Sequence, residues 1–252
     1  MGETLKKIVA AFTFFTRIPT VGCKQLESRH FDGIIQWWPL TGFLTGGLTA
    51  LCYFFCAYLF TPIIAAILAL SFRMLVTGAL HEDGLADFCD GFGCSGDRDR
   101  VLSIMKDSHI GTYGVIGLLL YTLLFILTVS CFPIITGCIL IFSSDVWCKF
   151  CSSKLIDFLP YSRTREHSKS GILYEKPKII TTIGMGLLSA GTLILLWWPM
   201  VLCSIVVPLV VLVLGVTMKK RIGGYTGDCC GATFLISQIM MFLCAMAVVR
   251  LV

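Results

Sequence analysis

An all-α, polytopic membrane bundle is the fold class this sequence predicts, and three observations carry the prediction. The 252 residues are 56% hydrophobic and only 14% charged, with a mean hydropathy of +0.87, whereas soluble domains are about a quarter charged. Apolar runs close to the roughly 20 residues needed to cross a bilayer recur about seven times. Charged and uncharged connections between those runs alternate strictly.

The elements follow in order. The N-terminal MGETLKKIVAAFTFFTRIP has a basic start and a short apolar run, which Arg17 and Pro19 interrupt, and no small-residue cleavage site follows. It reads as an uncleaved helix lying at the membrane surface. Candidate spans occupy about 37 to 60, 62 to 80, 110 to 130, 132 to 150, 179 to 199, 200 to 218 and 231 to 252. Pro62, Pro133 and Pro199 divide paired spans, as expected where the residue before a proline leaves the helical region. With no internal repeat and no low-complexity linker, residues 1–252 read as one integral membrane domain.

Basic residues set the orientation, since cytoplasmic connections carry an excess of Lys and Arg. Lys6, Lys7, Arg17, Lys24 and Arg29 precede the first span. Arg98, Arg100 and Lys106 lie between the second and third, seven basic residues lie from Lys149 to Lys178, and Lys219, Lys220 and Arg221 precede the last. The connections near Thr61, Cys131 and Trp198 carry no charge. Seven helices with an inside N-terminus and an outside C-terminus account for this alternation. The net charge of +5 is therefore a topology signal suited to anionic headgroups. It does not indicate nucleic acid, because no basic stripe interleaved with aromatics lies on a soluble domain. The basic loop from 149 to 178 reads as solvated anchoring, with guidance of anionic substrates or contact with a partner enzyme as the alternatives.

Against that background the acidic stretch LHEDGLADFCDGF (80–92) stands out. On a helix, Asp83, Asp87 and Asp90 are spaced i, i+4, i+7 and share one face. Each like-charge pair costs a few tenths of a kcal/mol when exposed. No Lys or Arg occurs between Arg73 and Arg98 to neutralise them, and hard divalent cations take such oxygen ligands. The competing reading is a solvated acidic face with capping roles for Asp83 and Asp90. Gly84 and Gly91 thin this helix where a bulky ligand could approach. Two glycine-rich polar clusters, IMKDSHIGTYG (104–114) and GGYTGDCCGA (223–232), open the third and last spans. Asp107 or Ser108, and Thr226 or Asp228, are their capping candidates, and helix starts suit phosphate. Taken singly, each cluster is better explained by capping and close packing through small residues. Three clusters on one membrane face point to a metal-bound phosphorylated substrate. Arg73 and Asp145 are the ionisable residues most plausibly inside spans, and such charges usually serve function; headgroup snorkelling is the alternative for Arg73.

The motifs FFTRIP (14–19), WWPLTGFLTGG (37–47), LHEDGLADFCDGF, IMKDSHIGTYG and GGYTGDCCGA, in this order over nearly the whole chain, resemble the cobalamin synthase family, the adenosylcobinamide-GDP ribazoletransferases. The family pattern L-H-x-D-G-L-A-D-x-x-D-G is matched by Leu80, His81, Asp83, Gly84, Leu85, Ala86, Asp87, Asp90 and Gly91, with Glu82 at a variable position. The resemblance implies a magnesium-dependent transferase of the bacterial inner membrane, its N-terminus and active site facing the cytoplasm. Adenosylcobinamide-GDP would react with α-ribazole or its phosphate to give adenosylcobalamin or its phosphate, with loss of GMP. On that footing Asp83, Asp87 and Asp90 would hold the metal, with Glu82 as a further ligand. Asp90 or Asp107 would act as general base, and Arg73, Lys106, Ser108, Thr226 and Asp228 would meet the substrate.

His81 and His109 flank the clusters and read as hydrogen-bonding residues at helix boundaries; His30 and His167 carry no assignment. The 13 cysteines are scattered, without the second pair or nearby histidines a zinc site needs, and read as small hydrophobes. The rival class is a cation-coupled secondary transporter using Asp83, Asp87 and Asp145. Transporter sites, however, sit at the midplane of repeated halves, and these acids gather at one edge.

Overall fold

The computed structural model describes residues 2–20, 26–163 and 175–251; Lys24, Arg165, His167 and Lys169 lie outside them. The described residues are helical, with one isolated β-bridge between Tyr161 and Tyr225 and no sheet. The elements are α1 (Glu3–Phe15), α2 (Ser28–Asp32), α3 (Trp38–Leu59), α4 (Pro62–Thr77), α5 (Leu80–Gly93), α6 (Arg98–Ile104) and α7 (Thr112–Ser130). They continue as α8 (Ile134–Ser153), α9 (Leu155–Phe158), α10 (Ile179–Leu193), α11 (Trp198–Leu202), α12 (Val206–Ile222) and α13 (Gly227–Leu251).

Among the described residues five helical stretches are long and apolar enough to cross a membrane: Ile35–Leu59, Thr112–Ser130, Ile134–Phe158, Trp198–Ile222 and Gly227–Leu251. Two of the seven predicted runs take other forms. The run from 62 to 80 stops at Thr77, and the chain bends by 94° into α5, so α4 and α5 form one broken unit. Gly78 (φ 68°) and Ala79 (φ 54°) make that bend in consecutive left-handed conformations. For alanine this costs about 1–2 kcal/mol. Arg17 packs against Gly78 and donates its backbone N–H to Val76 O at 2.7 Å. The run from 179 to 199 contains only the 15-residue α10, about 22 Å long and short of the roughly 30 Å hydrocarbon core. The next long helix then begins at Trp198.

Packing is sorted in the manner of a bundle in lipid. Gly42, Thr45, Gly46 and Thr49 form a stripe of small residues on α3. A Cβ on Gly46 would lie 2.8 Å from Asp145 Cβ, so only glycine lets α8 come this close. Helix α13 is buried on all sides over its first half and packs against α5, α7, α8 and α12, as expected of a central helix. The outer faces are apolar and exposed, including Leu51, Phe55, Leu75, Leu119, Leu187 and Leu212, a belt suited to acyl chains.

The charged connections meet at one end. Lys7 pairs with Glu175 at 3.2 Å, joining the N-terminal helix to the segment before α10. Arg98 donates to Ser162 O (2.6 Å) and Ile222 O (3.0 Å), Arg163 to Leu102 O (3.1 Å), and Arg221 to Cys94 O (2.8 Å). The alternation of charge along the chain has thus become a single charged end, across which α5 runs.

Candidate active site

Adjacent residues of α5 face opposite ways. Glu82 turns inward and meets Arg73 of α4 at 2.9 Å; the two side chains are 5% and 1% exposed. The Arg73 guanidinium also donates to Gln238 Oε1 at 2.8 Å and to the Tyr121 hydroxyl, and it lies 5.2 Å from the Phe125 ring. Gln238 continues to Ser144 at 3.0 Å. A second buried pair joins Asp145 and Lys149 on α8, bridged by Thr45, which donates to Asp145 at 3.0 Å and accepts from Lys149 at 2.6 Å. Both cations lie near the Phe234 ring, Arg73 at 6.0 Å and Lys149 at 5.0 Å from its centroid.

Asp90 is 8% exposed and caps α7 from α5, its two carboxylate oxygens accepting from Gly111 N (2.7 Å) and Gly114 N (2.8 Å). The start of α7, read from sequence as capped by Asp107 or Ser108 and open to phosphate, is therefore occupied by a carboxylate arriving from 21 residues upstream. Arg73, Glu82 and Asp90, expected to meet substrate or metal, are engaged here in contacts between helices. Asp145, which a coupling cation would have needed, is neutralised by Lys149. Gly84 and Gly91 likewise serve packing: a Cβ on Gly84 would lie 3.0 Å from Asp228 O, and Gly91 abuts Met105.

The remaining residues gather around two cavities of about 250 Å³ each. One is lined by Asp83, Asp87, Lys106, Asp107, Ser108 and His109 among others, which brings the acidic helix and the cluster before α7 to a single place. Asp107 accepts from its neighbour His109 through Oδ1 alone, at 3.0 Å from the backbone N–H and 2.7 Å from Nδ1. The side-chain hydrogen bond from His109 is the chief reason the Asp107 carboxyl is held below the usual carboxylate range. The other cavity has an aromatic wall that includes Phe14, Phe15, Trp38 and His81, and it is also lined by the charged Asp83, Arg163 and Asp228. Asp83, which is exposed, borders both.

Thr226 is fully buried and accepts from Cys229 N at 3.3 Å, which caps α13 as its sequence position suggests. Asp228 faces the aromatic cavity, 3.7 Å from Arg163. Pairing of Ser162 N with Tyr225 O (2.8 Å) and of Tyr225 N with Pro160 O (2.9 Å) brings Arg163 there. Gly224 crosses so near Pro160 O that no side chain fits. Sequence reasoning passed over Arg163, Lys149 and the aromatic wall. Lys149 carried a readable signal in its i, i+4 spacing from Asp145, and Phe14, Phe15 and Trp38 stand in two of the motifs that carry the resemblance.

Among the described residues no group of three or more His, Cys, Asp or Glu side chains forms a ready metal site. A magnesium ion asks for less: it is commonly held by one or two carboxylates, with substrate phosphates and water completing its shell. Exposed Asp83 and half-buried Asp87 on one cavity wall suit that mode.

A family model described as cobalamin-5-phosphate synthase matches residues 7–247. An adenosylcobinamide-GDP ribazoletransferase of Shewanella frigidimarina is 33% identical over 250 residues, covering 97% of this chain and 95% of that protein. One from Vibrio parahaemolyticus is 31% identical over 246 residues, covering 96% and 92%. One from Desulfitobacterium hafniense is 28% identical over 244 residues, covering 95% and 96%. No solved structure gives a significant match.

Proposed function

The chain belongs to the cobalamin-5-phosphate synthase family, and from that premise we propose that this multi-pass membrane protein transfers the phosphocobinamide group of adenosylcobinamide-GDP to α-ribazole or its phosphate. The names of its relatives supply the two substrates. The observation that carries the reading is the cavity uniting Asp83, Asp87, Lys106, Asp107 and Ser108.

The ribose hydroxyl oxygen of the acceptor bonds to the phosphorus attached to cobinamide, the bridging P–O bond breaks, and GMP leaves. Little covalent work falls to the protein, so positioning and charge neutralisation dominate. Asp83 and Asp87 would hold magnesium, which when bound supplies charge neutralisation for the phosphate oxygens. Lys106 faces the same oxygens as a point charge, and Ser108 offers a hydroxyl donor. Asp107 receives the proton of the attacking hydroxyl on Oδ2, since His109 engages only Oδ1 and fixes the carboxylate's direction. Glu82 and Asp90 act at one remove, locking α5 against α4 and α7. The convergence of basic connections at one end supports a cytoplasmic position for the site in a bacterial inner membrane.

Purified protein given magnesium, adenosylcobinamide-GDP and α-ribazole should release GMP in step with the cobalamin product. Full magnesium occupancy with both substrates present and no GMP would overturn the reading.

A further inference from the structure

Asp83 borders both cavities, and each has one Lys or Arg among its described lining residues: Lys106 in the first, Arg163 in the second. Lys106 meets phosphate oxygens in the chemistry above, whereas Arg163 has no task there. The Arg163 side chain is only 5% exposed, Nη2 donates to Leu102 O at 3.1 Å, and Nη1 lies 3.7 Å from Asp228 Oδ2. That last separation makes an ion pair but is too long for a hydrogen bond, although a guanidinium facing a carboxylate frequently forms two parallel bonds to it. A guanidinium carries five N–H donors in a planar fork, and the bond to Leu102 O spends one of them.

We infer that Arg163 binds the phosphate of the departing GMP, so that the diphosphate straddles Asp83 with Lys106 on the cobinamide phosphate and Arg163 on the guanosine phosphate. The inference rests on the transferase reading and gives its leaving group a place. Direction follows from the reaction. Asp107 lies in the Lys106 cavity, so the attacking hydroxyl approaches from there, and in-line displacement sends the leaving oxygen to the far side of the phosphorus. Asp83 is the shared border, so the far side is the Arg163 cavity. As the bridging P–O bond breaks, its electron pair stays on the oxygen that GMP keeps, which gains one negative charge, while the hydroxyl proton goes to Asp107. Arg163 neutralises that charge, and its planar fork matches phosphate geometry where an ammonium acts only as a point charge. Charge balance agrees: Asp83 and Asp228 line the same cavity, and a phosphate entering beside two carboxylates needs a cation there.

The test is equilibrium dialysis of the full chain in detergent with magnesium and GMP. Saturable binding is expected, with guanosine, which lacks the phosphate, competing at least about tenfold more weakly. Arg163→Gln should weaken GMP binding about tenfold or more, whereas Lys106→Gln should leave it within about twofold of the parent. In turnover, Arg163→Gln should lower kcat about a hundredfold or more while KM for α-ribazole stays within about twofold. Guanidinium ion added to Arg163→Ala should restore part of the rate, which a purely structural role would not allow. Guanosine competing as well as GMP in the unaltered protein, which requires no variant to fold, would overturn the assignment. So would unchanged GMP binding in folded Arg163→Gln, or an equal loss in Lys106→Gln. Absence of GMP release from both substrates by a protein that binds GMP in this way would instead refute the transferase reading and leave Arg163 as a nucleotide-phosphate ligand.

Discussion

Glu82 and Asp83 are neighbours in the chain and opposites in surroundings. Glu82 belongs to an interior in which charges are matched within the protein: Arg73 with Glu82, Lys149 with Asp145. Asp83 belongs to a rim where Asp83, Asp87 and Asp107 share one cavity with Lys106. The interior charges were withdrawn from water at a high desolvation cost, and only a well-placed partner offsets it. The rim charges keep contact with solvent and with whatever enters the cavity. Carboxylates of one helix thus divide into those buried against neighbouring helices and those lining a cavity, a division that burial reveals and residue type does not.

The comparison breaks first at the rim. Asp83→Asn or Asp87→Asn should lower kcat by at least about a thousandfold, as expected when a site's charge stabilisation is lost. Membrane insertion and thermal midpoint should stay near the parent's; near-normal GMP release from either variant would end the metal assignment. The interior should respond in the reverse way. Arg73→Leu leaves Glu82 buried without its cation, a loss of about 3–5 kcal/mol, visible as poor recovery of folded protein. Replacing Arg73 and Glu82 together by Met should restore much of that yield. Equal behaviour of the single and double variants would show that the pair is not a unit.

A subtler effect concerns Asp107. Its hydrogen bond from His109 holds the carboxyl below the ordinary range, so it stays ionised to lower pH than an unassisted aspartate. Without that bond, as in His109→Ala, its pKa rises, and the acid limb of the kcat profile should move to higher pH. An unmoved limb would remove Asp107 from the proton step. The smallest effect is expected at the bend. Ala79→Gly relieves a left-handed alanine but frees the unfolded chain, for a net gain of about 1 kcal/mol or less, read as a small rise in thermal midpoint with activity unchanged.

Which parts were legible follows from the range of the forces involved. The helix at 80–93 was readable because its carboxylates repeat with helical period, and the clustering of charge at one end because each connection carries its own composition. That Asp90 would spend both oxygens on Gly111 and Gly114 was not readable, since nothing near position 90 records how α7 would lie. Nor was the bend at Gly78 and Ala79: hydropathy sums side-chain transfer energies and is blind to two backbone dihedrals.

By itself, then, the sequence determined an all-helical membrane chain, one charged end, an acidic helix and the family to which five ordered motifs belong. Those features depend on residue type and short-range spacing. Tertiary structure alone decided which carboxylates turn inward to Arg73 or α7 and which stay at the cavity. It also decided that Phe14, Phe15, Trp38 and His81, scattered over three helices, form one aromatic wall. Such choices depend on long-range packing, where burial makes an unmatched charge costly.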